Sequence, residues 1–119
     1  MQKHILIIDD NKDLLTMLTA MLKTRGYQVS VSETAEAILD RVKEVKPDLI
    51  MMDMLLSGAD GRDVCRLIKG DEAIAAIPLL MLSAYPQAVD DCLAAGADGF
   101  VEKPFDMKVL LSKLSSLHG

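Results

Sequence analysis

Hydrophobic positions along this chain follow two alternating rhythms. Ile5-Leu6-Ile7-Ile8 is a continuous apolar run, the mark of a strand buried on both faces. Leu14, Leu15, Met17, Leu18, Met21 and Leu22 then recur at helical spacing, and Gly26 stands where a helix C-terminus wants glycine. Gln28 to Val31 alternates polar with apolar, as expected of a strand at a sheet edge. A second helix carries Ala35, Ile38, Leu39, Val42 and Val45 on one face, with Thr34 as its expected N-cap and Pro47 as its stop. Leu49-Ile50-Met51-Met52 predicts a third strand, and Asp53 to Gly61 a loop containing Gly58. Val64, Leu67 and Ile68 mark a third helix closed at Gly70. Pro78 introduces a fourth strand, Leu79-Leu80-Met81-Leu82, and a short helix spans Gln87 to Ala95 before Gly96. Gly99-Phe100-Val101 is a fifth strand, and Met107, Leu110, Leu111, Leu114 and Leu117 line a last helix.

Five strands, each followed by a helix, imply right-handed crossovers and a parallel sheet. The expected fold is α/β: a doubly wound, five-stranded parallel sheet of order 2-1-3-4-5, flavodoxin-like, as one domain over residues 1–119. Met17, Met21, Met51, Met52 and Met81 are assigned to buried faces as core filling. The last helix, through Met107, Leu110 and Leu111, is read mainly as core, with part of its face open to a partner or a second copy.

Sheets of this kind bind ligands beyond the carboxyl ends of their strands, at the switch point between the first and third. The first strand ends in Asp9-Asp10, the third in Asp53, the fourth in Ser83 and the fifth in Glu102-Lys103-Pro104. Each has a plain alternative when taken alone. Asp10 can cap the first helix, Ser83 can cap a turn, and Lys103 can be an ordinary surface lysine. Together they place three carboxylates, a hydroxyl and an ammonium along one edge. Crowded carboxylates repel, and a cation is the usual remedy. All-oxygen ligation suits Mg²⁺, whereas His4 and His118, at opposite ends of the chain, are read as solvated. A metal beside a carboxylate nucleophile and a lone Lys suggests phosphoryl transfer through an acyl phosphate.

Composition narrows the partners. Thirteen Lys and Arg against eighteen Asp and Glu leave a net charge of −5, and there is no Trp, so nucleic acid is not the expected ligand of this chain. No apolar run approaches the roughly 18 residues of a membrane span. Met1-Gln2-Lys3-His4 runs straight into a strand and reads as no signal peptide. Cys65 and Cys92 form no CxxC pair and read as buried free thiols, consistent with a cytoplasmic location.

The pair in Ile-Ile-Asp9-Asp10, the isolated Asp53, Asp60-Gly61, Ser83-Ala84 and Gly99-Phe100-Val101-Glu102-Lys103-Pro104-Phe105 resemble the receiver domain of two-component response regulators, from Ile5 to Leu117. That resemblance implies a signalling switch and not an enzyme. Asp53 would accept phosphate from a histidine kinase or a histidine phosphotransfer protein. Mg²⁺ would be held by Asp10, Asp53 and the backbone carbonyl of Leu55, with Asp9 direct or through water. Lys103 would contact the phosphoryl group, Ser83 would move toward it, and Phe100 would turn inward. The Lys103-Pro104 bond is cis in the family. Output would pass through the fourth helix, fifth strand and fifth helix to a downstream protein, an effector domain or a homodimer mate. Kinase choice would rest on the first helix, including Lys12, Asp13, Thr16 and Thr19.

The sequence departs from the family pattern beyond Asp53. Ser57 and Ala59 stand where Pro and a larger apolar residue are usual, so the loop is expected to be looser. Phe100 stands where Tyr is also common. Leu55 and Tyr85 flank the site and are expected to shield an acyl phosphate from water. Three rivals remain. A flavin or nucleotide protein would need glycines where Asp9-Asp10-Asn11-Lys12 stands. An Asp-based phosphatase would carry an acid where Leu55 stands. An interaction module of the same fold would lack the phosphorylation switch. A stand-alone receiver and a piece of a longer regulator or hybrid kinase are both open.

Overall fold

The computed structural model describes residues 2–118. Five strands form one parallel sheet: β1 (His4–Ile8), β2 (Gln28–Ser32), β3 (Leu49–Asp53), β6 (Leu79–Ser83) and β7 (Gly99–Glu102). Their order is β2-β1-β3-β6-β7, the doubly wound arrangement expected from the alternation of strands and helices. Two further strands, β4 (Leu55–Leu56) and β5 (Ala59–Asp60), make an antiparallel hairpin in the segment read as a plain loop. The helices are α1 (Lys12–Thr24), α2 (Ile38–Val45), α3 (Gly61–Lys69), α4 (Val89–Ala94) and α5 (Met107–His118). A 3-10 turn, Pro86–Ala88, leads into α4.

The continuous apolar runs divide by parity between two cores, as side chains alternating across a sheet must. Ile5, Ile7, Leu49, Met51, Leu80 and Leu82 point to the layer closed by Leu15, Leu18 and Leu22 of α1 and Leu110 and Leu114 of α5. Leu6, Ile8, Ile50, Met52, Leu79 and Met81 point to the other layer, closed by Val42 of α2, Val64 and Ile68 of α3 and Cys92 of α4. Both cysteines are buried free thiols, and burial pushes the Cys65 thiol up to about 11. Each fully buried aliphatic side chain contributes about 1.5–3 kcal/mol.

Several expectations give way to tertiary contacts. Thr34 does not cap α2; the chain turns first, Ala37 adopts φ 53°, and the helix begins at Ile38 without a side-chain cap. Thr34 Oγ1 instead accepts a bond from the Glu36 amide. Met17 and Leu67 are not core, being 45% and 58% exposed, because neighbouring positions already fill the helix–sheet seam. His118 is not solvated: Tyr27 Oη and His118 Nε2 are 2.7 Å apart and the rings meet edge to face. His4 Nε2 lies 2.7 Å from Ser30 Oγ on the edge strand. On α5, Leu110 is fully buried and Met107 and Leu111 pack against the same core. Among the described residues, no helix is long and apolar enough to cross a membrane.

Candidate functional site

Parallel strands deliver their last residues to one edge, and here that edge is acidic. β1 runs directly into Asp9, whose carboxylate is fully buried. Its Oδ1 accepts the Asn11 amide at 2.9 Å, and its Oδ2 accepts Lys103 Nζ at 3.0 Å. Asn11, not Asp10, caps α1, its Oδ1 taking the Leu14 amide at 3.1 Å. Asp10 is thereby left free of the helix and exposed.

β3 ends on Asp53, set beside Leu82 by register. The Met54 amide bonds the Leu82 carbonyl at 2.8 Å, which locks the turn after Asp53 onto β6. The hairpin β4–β5 then folds the chain back, and Asp60 caps α3 through the Arg62 amide. Gly61 is required at that return. A Cβ there would lie 2.5 Å from the Asp53 carbonyl oxygen and 2.9 Å from Met54 Cα, both backbone atoms that cannot yield cheaply.

β7 delivers Lys103, whose amide bonds the Ser83 carbonyl at 2.7 Å, and whose bond to Pro104 is cis. Its ammonium stands 3.0 Å from Asp9 and 3.5 Å from Asp53. One carboxylate oxygen from each of Asp9, Asp10 and Asp53 lies within 4.8 Å of the others. Three carboxylates therefore face one ammonium. Burial lifts the Asp53 carboxyl above its usual range, with Asp9 adding to the rise and Lys103 opposing it. Asp10 is held below that range, chiefly by the Ser57 hydroxyl.

The strand-end residues predicted from the sequence thus split into a cluster and its surroundings. Asp9, Asp10, Asp53 and Lys103 come together. Ser83, 1% exposed, ends the neighbouring strand with its Oγ accepting the Tyr85 amide at 3.0 Å, so it does cap a turn. Phe100 pairs with Met81 by register and packs against the α2–α4 core. Leu55 and Tyr85 are both about half exposed. Ser57 was missed as a site residue. It reaches back to Asp10 Oδ2 through both its amide, at 3.0 Å, and its hydroxyl, at 2.6 Å. The segment expected to be loose is therefore closed by a hairpin and tied to the site. The only sequence signal was a hydroxyl residue before Gly58, which turns at φ +74°.

The carboxylate trio suits a hard cation: oxygen donors only, no imidazole or thiolate among them, and excess negative charge to offset. These residues fit Mg²⁺.

Comparison with known proteins agrees with this arrangement. The family model for the response regulator receiver domain matches residues 5–115. The DNA-binding response regulator MtrA of Mycolicibacterium smegmatis is 37% identical over 96% of this chain and 50% of its own length. The chain spans about half the length of the curated relatives it matches. Among solved structures, a chain from Chloroflexus aurantiacus described as a response regulator has a TM-score of 0.93 at 28% identity, covering 99% of this chain and 98% of that one. The receiver domain of a sensor histidine kinase from Pseudomonas aeruginosa, with a magnesium ion coordinated in its active-site cleft, gives 0.89 at 28% identity over 100% and 99%.

Proposed function

The chain belongs to the response regulator receiver domain family, and from that premise we propose that Asp53 is its phosphoacceptor in a phosphorylation-dependent switch. The observation that carries the proposal is the placement of Asp53 between two further carboxylates and a shared ammonium. The donor is a phosphohistidine of a sensor kinase or phosphotransfer protein. An Asp53 carboxylate oxygen attacks phosphorus, the P–N bond breaks, and the departing imidazole recovers a proton from water. Asp9, Asp10 and Asp53, with the Leu55 carbonyl, would hold Mg²⁺, which supplies positive charge for the phosphoryl oxygens. Lys103 is placed to leave its pairing with Asp53 and take a phosphoryl oxygen.

The signal passes outward through Ser83. Its hydroxyl exchanges the Tyr85 amide for the phosphoryl group, and Phe100 moves into the space released. The surface that changes is α4, β7 and α5, which meets a downstream partner, an effector domain or a second copy. Leu55 and Tyr85 limit the approach of water to the acyl phosphate, which would lengthen its life. If Tyr85→Ala leaves the dephosphorylation rate unchanged, the shielding is wrong.

Intact-mass spectrometry after incubation with a small-molecule phosphodonor and Mg²⁺ tests the central claim. One phosphoryl adduct is expected on wild type, absent from Asp53→Asn and absent in EDTA. Failure with both the small donor and a phosphorylated phosphotransfer protein would favour an interaction module of the same fold that has lost the switch.

A further inference from the structure

We infer that Ser57 is a positioning residue for Asp10, holding that carboxylate ready for the divalent cation; the inference rests on the Mg²⁺ reading of the site given above. The three carboxylates are not held alike. Lys103 engages Asp9 and Asp53, and its ammonium makes no ion pair with Asp10. Asp10 is the exposed member of the three, and an exposed carboxylate is free to rotate away from its neighbours. Ser57 prevents this. Its amide and its hydroxyl converge on one oxygen, Oδ2, at 3.0 and 2.6 Å, from 47 residues further along the chain.

Two donors on a single oxygen fix both the position and the rotation of the group. A carboxylate has a second oxygen and further lone pairs, so it can be held and still accept a cation. Hydrogen bonds of this kind orient metal ligands, and their loss typically weakens metal binding 10–100-fold. The hairpin is what makes the contact possible: β4 pairs with β5, Gly58 turns the chain at positive φ, and Ser57 faces back across the edge toward β1. Cation binding at Asp10 is thereby tied to the segment that follows Asp53. Two strand ends on either side of the switch point are linked by one side chain.

The experiment is a Mg²⁺ titration by calorimetry, paired with the Mg²⁺-dependent shift in Tm, on wild type, Ser57→Ala, Ser57→Thr and Ser57→Pro. Ser57→Ala, which keeps the amide, should bind Mg²⁺ about tenfold more weakly. Ser57→Pro, which removes both donors, should bind more weakly still. Ser57→Thr restores the hydroxyl and should return affinity to within about twofold of wild type, a rescue that a merely structural role for the position does not predict. In an Asp10→Asn background, Ser57→Ala should add no further loss, since paired groups are non-additive. Circular dichroism in EDTA identifies any variant that fails to fold, and the threonine variant then carries the test. Ser57→Ala binding Mg²⁺ as tightly as wild type, or more tightly, would overturn the positioning role. A folded wild type that binds no Mg²⁺ would overturn the metal reading itself, and this inference with it.

Discussion

The two edges of the sheet both carry buried or half-buried charge, and they handle it in opposite ways. At the amino ends of the strands, Lys69 reaches from α3 to Asp98 at 2.8 Å and to the carbonyls of Ala75 and Ile77. The same Asp98 oxygen accepts the Leu79 amide that opens β6. One cation meets one anion, and the surplus donors and acceptors are taken up by backbone. Gly96 leaves room for the lysine stem; a Cβ there would lie 2.8 Å from Lys69 Cγ. At the carboxyl ends, three carboxylates crowd beside one ammonium that pairs with only two of them, and Asp9 is entirely without solvent. The first edge is complete as it stands. The second is electrostatically unfinished, and a fold retains such an excess where a ligand offsets it. Balance, more than burial, separates a structural clamp from a binding site.

Removing the lysine from each edge sharpens that contrast. Lys103→Met strands the Asp9 charge in the interior and should cost about 3 kcal/mol in EDTA. Saturating Mg²⁺ should restore most of that loss, because the cation replaces the missing charge. Urea unfolding with and without Mg²⁺ measures both quantities; an equal loss under both conditions would break the comparison. Lys69→Met should cost about 2 kcal/mol, less because Asp98 keeps part of its hydration. Mg²⁺ should return none of it.

The smallest effect has the opposite sign. Asp53→Asn removes an excess charge that burial already disfavours, and should stabilise the metal-free protein. Its pH dependence follows from linkage. The folded carboxyl holds its proton to higher pH than the unfolded one, so ionising Asp53 costs stability as pH rises through its raised value. The advantage of Asn should therefore grow across that interval and vanish in acid, below the ordinary carboxylate range. Asp60, held low first by the Arg62 guanidinium, runs the other way: its contribution is present above the ordinary range and is lost as pH falls. Thermal melts of wild type and Asp53→Asn in EDTA across acid and neutral pH distinguish the two.

Much of this was readable from residue order. Unbroken apolar runs mark strands buried on both faces, and helical spacing between them dictates parallel crossovers; the observed order β2-β1-β3-β6-β7 is one of the doubly wound orders these allow. Because parallel strands all finish at one edge, residue order alone gathers Asp9, Asp10, Asp53, Ser83 and Lys103 there. Local rules were weaker at the joints. Asn11 outcompeted Asp10 for the helix cap, and Thr34 lost its helix to a turn at Ala37. Met17 satisfied helical periodicity and still faces outward, since a six-member apolar set is wider than the strip a sheet can cover.

What the sequence determined by itself was therefore the architecture and the membership of the acidic edge, because both arise from periodicity and from a topological rule. The tertiary structure alone decided who pairs with whom. Lys103 meets Asp9 across 94 residues and Ser57 meets Asp10 across 47. Neither separation leaves a local trace in the chain. Such contacts depend on how far each strand end projects and how the hairpin after Asp53 turns back, and those quantities exist only once the sheet is assembled.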